Sequence, residues 1–281
     1  KALTSLQMVT GYTDAQMEEL KDTLIDMSKE LGVTVDTLVS GADEWMRAGL
    51  SAADTMEALR ASTIMATIAN MDNATATQYL IAQMNAYGLA ANELIDIVDK
   101  MSAIDIVAAT STEELGEALS LSANSAQLAG IEYDKYLAMI ATVSETTRQS
   151  ASTIGNSFRS IFTRLQAVSL GSLVDEEGED ISQVDTLLKN YGIDLMEVTN
   201  NLSDMGALLD LLGSKWDSYT TAQQSEIATT IAGNYQRERF IALMEEWDRV
   251  LELEQVSLES SGSAMEKYTI YQDSFEASIN R

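Results

Sequence analysis

Proline, histidine and cysteine are all missing from this 281-residue chain. Average usage would place about 14 prolines in a chain of this length. Proline removes a backbone donor and clashes with the preceding turn, so its absence predicts a chain that is helical nearly throughout. Without cysteine there are no disulfides and no thiolate metal sites. Without histidine there is no imidazole ligand, no imidazole base and no histidine pH switch. The familiar nucleophilic triads and dyads and the zinc hydrolases are excluded with them. Cationic side chains are also scarce: 17 Lys and Arg stand against 44 Asp and Glu, a net charge of −27. Such a chain is repelled by nucleic acid and by anionic membrane surfaces, and it suits a hydrated surface or a basic partner. No apolar run approaches the roughly 18 residues of a membrane span, and the greasiest stretch, Ala61 to Ala69, reaches half of one at most. No signal peptide is read, and the opening on Lys1 in place of Met points to a segment of a longer polypeptide.

What is present suits helix-on-helix packing. Apolar residues make up 46% of the chain and Met alone contributes 14, while aromatics are only 6%, so the interior is expected to be Ala, Leu, Ile and Met. The fold class that follows is all-α: many short helices, no sheet. Met17, Leu20, Leu24, Met27 and Leu31 recur at steps of three and four, and Phe240, Met244, Trp247, Leu251 and Leu258 make a similar stripe whose last step is seven. Both stripes are too short for a coiled coil and read as core faces. Thr13 with Gln16, Ser111 with Glu114, and Thr221 with Gln224 read as capping boxes. A second signal is a glycine followed by an apolar residue and a new helix start, at Gly32-Val33-Thr34, Gly49-Leu50-Ser51, Gly88-Leu89, Gly130-Ile131 and Gly192-Ile193-Asp194. Glycine past a helix end takes the left-handed conformation cheaply, and the apolar residue folds back onto the last turn. Thr34, Ser51 and Asp194 then cap the next helix. The unequal intervals between these corners favour recurrent corner chemistry over a true repeat.

Charge suggests the domain organisation. From Thr146 to Val174 there are three arginines (Arg148, Arg159, Arg164) and no acid, and then comes Asp175-Glu176-Glu177-Gly178-Glu179-Asp180. This run reads as an exposed acidic loop (175–180). It separates a central helical core, 51–174, from a C-terminal helical block, 175–281, with an N-terminal helical segment over 1–50. A calcium loop fails there, because placing Gly178 at the glycine position puts Leu173 and Val184 where carboxylate ligands are needed. Glu259-Ser260 is the nearest match to the Glu-Ser pair of lytic transglycosylases, but the downstream sugar-binding motifs are absent. Arg159 and Arg164 are five apart and so lie on different faces of a helix, which suits pairing with surplus carboxylates better than a DNA-binding stripe. No glycine-rich phosphate loop occurs. The sequence therefore assigns no catalytic, cofactor-binding or metal-ligating residue, and no cofactor.

One ordered set of segments carries a resemblance. It runs through Trp45-Met46-Arg47-Ala48-Gly49-Leu50-Ser51, Glu57-Ala58-Leu59, Asn85-Ala86-Tyr87-Gly88 and Val98-Asp99-Lys100-Met101-Ser102-Ala103. It continues through Thr112 to Leu119, Ala129-Gly130-Ile131, Gly155 to Leu165 and Tyr191-Gly192-Ile193. The last third adds Lys215-Trp216, Ala228 to Phe240, and Gly262-Ser263-Ala264. Taken in order over residues 40–281, these segments resemble the core region of tail tape-measure proteins of long-tailed bacteriophages and related prophages. The resemblance implies a non-enzymatic structural virion component, made in the bacterial host cytoplasm and placed in the tail tube lumen or tail tip. It implies roles in tail assembly, tail length determination and genome ejection. The implied partners are tail tube, distal tail and tail assembly chaperone proteins, with self-association and without direct nucleic-acid binding or a membrane span. A muralytic or membrane-active module of a phage tail or injection system is the alternative. One continuous helix of this length would extend about 420 Å, yet 15 glycines and repeated caps predict a compact module in place of a measuring rod.

Overall fold

The computed structural model describes residues 6–8, 10–200 and 204–279. Among them the chain is all-α, and its single isolated bridge pairs Val174 with Asp180. The helices are α1 (Asp14–Leu31), α2 (Val35–Arg47), α3 (Ala52–Ala69), α4 (Asn73–Tyr87), α5 (Leu94–Val107), α6 (Thr112–Leu128), α7 (Tyr133–Thr147) and α8 (Ala151–Ser169). After a 14-residue non-helical connection come α9 (Val184–Asn190), α10 (Leu195–Val198), α11 (Met205–Lys215), α12 (Thr221–Glu245), α13 (Trp247–Leu258) and α14 (Ser263–Ile279). The chain folds as two compact units, both discontinuous in sequence. Unit 1 takes Lys1–Ile106, Ser111–Gly116 and Ser260–Arg281; unit 2 takes Val107–Thr110 and Glu117–Glu259.

In unit 1 the organising element is α3, which packs against α2, α4 and α14. Its apolar stretch from Ala61 to Ala66 is buried, so the greasiest run of the sequence serves as a core helix. Trp45 of α2 is fully buried and donates its indole N–H to Ser62 Oγ of α3 at 3.2 Å, which satisfies the one polar atom that its burial would strand. Unit 2 is built on α7, which packs against α12 and α13, while α8 lies on α12. Tyr136, Phe158 and Phe162 form its aromatic centre, with ring centroids 5.3–5.7 Å apart. No described helix is long and apolar enough to cross a membrane.

The corner chemistry is seen directly. Gly88 and Gly130 have φ of 65° and 71°, and the amides of Leu89 and Ile131 reach back to the carbonyls of Met84 and Ala126 at 3.0 Å. This six-to-one bond is the Schellman closure, and it satisfies carbonyls that the helix end would leave bare. Thr34, Ser51 and Asp194 cap α2, α3 and α10 through their side chains. A Cβ at Gly88 meets nothing within 4 Å, so alanine there pays only for its left-handed backbone. Gly88→Ala is therefore expected to destabilise unit 1 by about 1 kcal/mol, without loss of helix content. Urea denaturation followed by circular dichroism measures this, and an unchanged midpoint would contradict the corner assignment.

Two sequence readings need correction. The third capping box is Thr220 with Gln223, one residue earlier than the Thr221–Gln224 pair. The segment Thr220-Thr221-Ala222-Gln223-Gln224 carries both registers, and the helix takes the first. The C-terminal stripe also breaks: Phe240, Met244 and Trp247 are buried, but Leu251 and Leu258 are exposed. Glu246, at φ −108° and ψ 28°, ends α12 and resets the helical phase. Thereafter α13 turns Trp247, Val250, Leu253 and Ser257 inward.

Candidate functional site

Several of the segments that carry the resemblance contribute to two buried polar clamps, one inside each unit. In unit 1 the carboxylate of Asp99, on α5, is 5% exposed and accepts the backbone N–H groups of Gly262 and Ala264, each at 2.8 Å. These donors lie at the start of α14, where helical amides have no intrahelical acceptor and the dipole favours an anion. Asp99 thus caps a helix 163 residues away in sequence. Six residues further along the chain, Asp105 accepts from Lys267 Nζ at 2.6 Å and from Thr112 Oγ1 at 2.8 Å, which fastens the next turn of α14 and the first turn of α6. Tyr268, also on α14, donates its hydroxyl to the carbonyl of Leu31 at the end of α1. Burial, the larger influence, raises the Tyr268 pKa and keeps the phenol a donor.

The second clamp is centred on Arg164 of α8, 7% exposed. Its Nη1 pairs with Asp175, and with Glu179 Oε2 at 3.0 Å, while its Nε donates to the Thr230 carbonyl of α12 at 3.3 Å. Asp175 is itself pinned, its other oxygen accepting the amides of Glu177 at 3.0 Å and Glu179 at 2.8 Å. Glu179 reaches across to Asn234, whose side-chain amide donates to Oε1 at 2.6 Å. This reach depends on Gly233, which interrupts α12 with φ 74° and ψ 174°. A Cβ on Gly233 would stand 2.9 Å from Glu179 Oε2, in a backbone region that side-chain-bearing residues rarely enter. Gly155 to Leu165 and Ala228 to Phe240, separate in the sequence, are thus two walls of one site.

The loop over residues 175–180 is exposed at Glu176, Glu177, Gly178 and Asp180, while Asp175 and Glu179 turn inward. Asp175 and Glu179 have side chains 5% and 20% exposed, because the loop folds around a guanidinium. The positive charge inside the acidic turn is Arg164, and pairing with surplus carboxylates is its observed role. Arg159, five residues earlier, is exposed on another face of α8. Ser160 donates to Glu177 at 2.8 Å, and Asp180 is held below its ordinary pKa by hydrogen bonds from the Ser182 side chain and then its backbone. Beside the clamp lies a groove of about 660 Å³ lined by Gln183, Leu187, Ser225, Glu226 and Thr229. Glu226 there accepts the Tyr191 hydroxyl, and this bond, more than burial, raises the pKa of Tyr191. Glu259 is the residue that closes α13, and its carboxylate accepts from Gln255 one turn back.

Sequence reading singled out Arg164 and the acidic run but not their contact, and it gave Asp99 no role beyond its place in a resembling segment. The 29-residue acid-free stretch ending at Val174 was the available signal for Arg164. Asp99 offers none, since its partners are backbone amides in a distant corner. Both clamps are closed hydrogen-bond networks, and their carboxylates are engaged with cations, amides and hydroxyls.

No solved structure matches this chain. The tape measure protein of Pneumococcus phage Dp-1 is 22% identical over 243 residues, covering 78% of this chain and 21% of that protein. The chain therefore spans about a fifth of the length of this relative. A family model described as phage-related minor tail protein matches residues 21–233, from the middle of α1 to the Gly233 break. With more than half of its length so matched, the chain belongs to the phage-related minor tail protein family.

Proposed function

We propose that this chain is a folded segment of a tail tape-measure protein, placed in the tail tube lumen or tail tip. There it acts in tail assembly, in length determination and in genome ejection through contacts with tail tube, distal tail and chaperone proteins. The observation that supports this reading is the combination of family membership with a helical chain divided by capped corners into two compact units. An extended ruler would need α1 to α14 to run on as one rod. Caps at Thr13, Thr34, Ser51, Asp72 and Ser150, and left-handed residues at Gly88, Gly130 and Arg148, favour the turns locally. The segment on this reading contributes assembly contacts more than length.

Asp99, Asp105, Asp175, Glu179 and Glu145 are each committed to a cap or an ion pair, the last with Arg249 at 2.7 Å. A glycosidase needs two carboxylates free to face one bond. Deleting residues 1–281 from the parent protein is expected to block tail assembly or infectivity. Removing an equally long stretch of uninterrupted heptad sequence is expected to give shorter tails. Electron micrographs of the two mutants decide: intact tails shortened in proportion to the residues lost here would assign the ruler role to this segment. Release of peptidoglycan by the isolated chain would favour the muralytic alternative.

A further inference from the structure

The connection between α8 and α9 places Leu170, Leu173 and Val174 at 80%, 71% and 54% exposure, three large apolar side chains within five residues. Single exposed leucines are ordinary on a protein surface, whereas a contiguous group is a recognised mark of an interaction site. A floppy loop would explain them as solvent-borne slack, but this connection is fastened. Ile181 donates its amide to the Leu173 carbonyl at 3.0 Å, Val174 and Asp180 form a bridge, and Arg164 holds Asp175 and Glu179 from beneath. The clamp therefore fixes the backbone of the turn while its apolar side chains face outward.

We propose that this clamped turn is a docking element, and that its occupant is a partner protein presenting an apolar pocket rimmed by Lys and Arg. Charge chooses the occupant. Glu176 and Asp180 stand exposed beside the apolar group, on a chain of net charge −27. A second copy of this chain would bring a like charge to the same place. A basic partner is drawn to it at long range, and the three apolar side chains then supply the short-range contact. Because the turn is already ordered, little conformational freedom remains to be lost on binding.

The test uses the whole chain and an 18-residue amphipathic peptide of Leu and Lys as the probe, followed by fluorescence anisotropy. The unaltered chain is expected to bind it. The triple variant Leu170→Ser, Leu173→Ser, Val174→Ser should bind about tenfold or more weakly, since the removed side chains supply the buried apolar area. Glu176→Gln with Asp180→Asn should weaken binding at low salt and flatten its salt dependence. All five altered positions are exposed, so circular dichroism should show unchanged folding. Equal binding by the triple variant, or no binding by the unaltered chain, would overturn the proposal. So would self-association in sedimentation that the triple variant abolishes, since a second copy would then be the occupant.

Discussion

Arg164→Met is expected to destabilise unit 2 by about 3–5 kcal/mol, because it leaves Asp175 and Glu179 partly buried without their cation. Domains of this size are stable by only about 5–15 kcal/mol, so the variant should be partly unfolded near physiological temperature. The cost comes from uncompensated charge and not from the ion pair's own strength, and two companions separate these. Arg164→Met combined with Asp175→Leu and Glu179→Met removes the charges together and should recover much of the loss. Arg164→Lys keeps the charge but loses the fork that reaches the carboxylates and the Thr230 carbonyl at once, so it should fall between. Guanidinium denaturation followed at 222 nm ranks the set. If Arg164→Met proves as stable as the unaltered chain, the clamp is a surface pair and its place in the core is wrong.

The clamp also shows which parts of this molecule are legible in sequence. A helix end is encoded within about six residues, so Gly88-Leu89, Gly130-Ile131 and the cap at Ser51 can be read locally. The left-handed corner at Arg148 cannot, since arginine has no preference for that conformation; Ser150, which caps the next helix, is its only local trace. Asn70, which ends α3 in the same conformation, is the readable case, since asparagine tolerates it. Glu246 stops α12 without glycine or proline, so the apolar stripe in the sequence runs straight through the break. Asp99 meets its partners 163 and 165 residues away, a distance over which spacing carries no information. The same holds for glycines inside helices, where the residue shows that something small is needed but not what approaches it.

Gly213→Ala tests one such approach and is expected to cost about 1–3 kcal/mol or more. On an unobstructed helix face the same change would stabilise, since alanine exceeds glycine in helix propensity by about 1 kcal/mol. The sign of the effect is therefore the diagnostic. Gly213 lies in α11 with the indole of Trp247 directly over its Cα, and a methyl group would occupy the space of the ring. Trp247 is 4% exposed and opens α13, so it cannot swing clear without exposing its large apolar surface. Gly155 in α8 meets a harder wall: a Cβ would stand 2.7 Å from the carbonyl oxygen and 3.0 Å from the Cα of Ala118, where only a backbone shift gives relief. A double-mutant cycle isolates the first contact. Trp247→Leu leaves a void of its own, but in that background Gly213→Ala should be neutral or stabilising, giving a coupling of about 1–3 kcal/mol. Tryptophan emission adds a second reading, because an indole pushed toward water shifts to the red. If Gly213→Ala raises the melting temperature and leaves the emission unchanged, α11 and α13 do not meet at this point, and the packing of unit 2 around Trp247 must be redrawn.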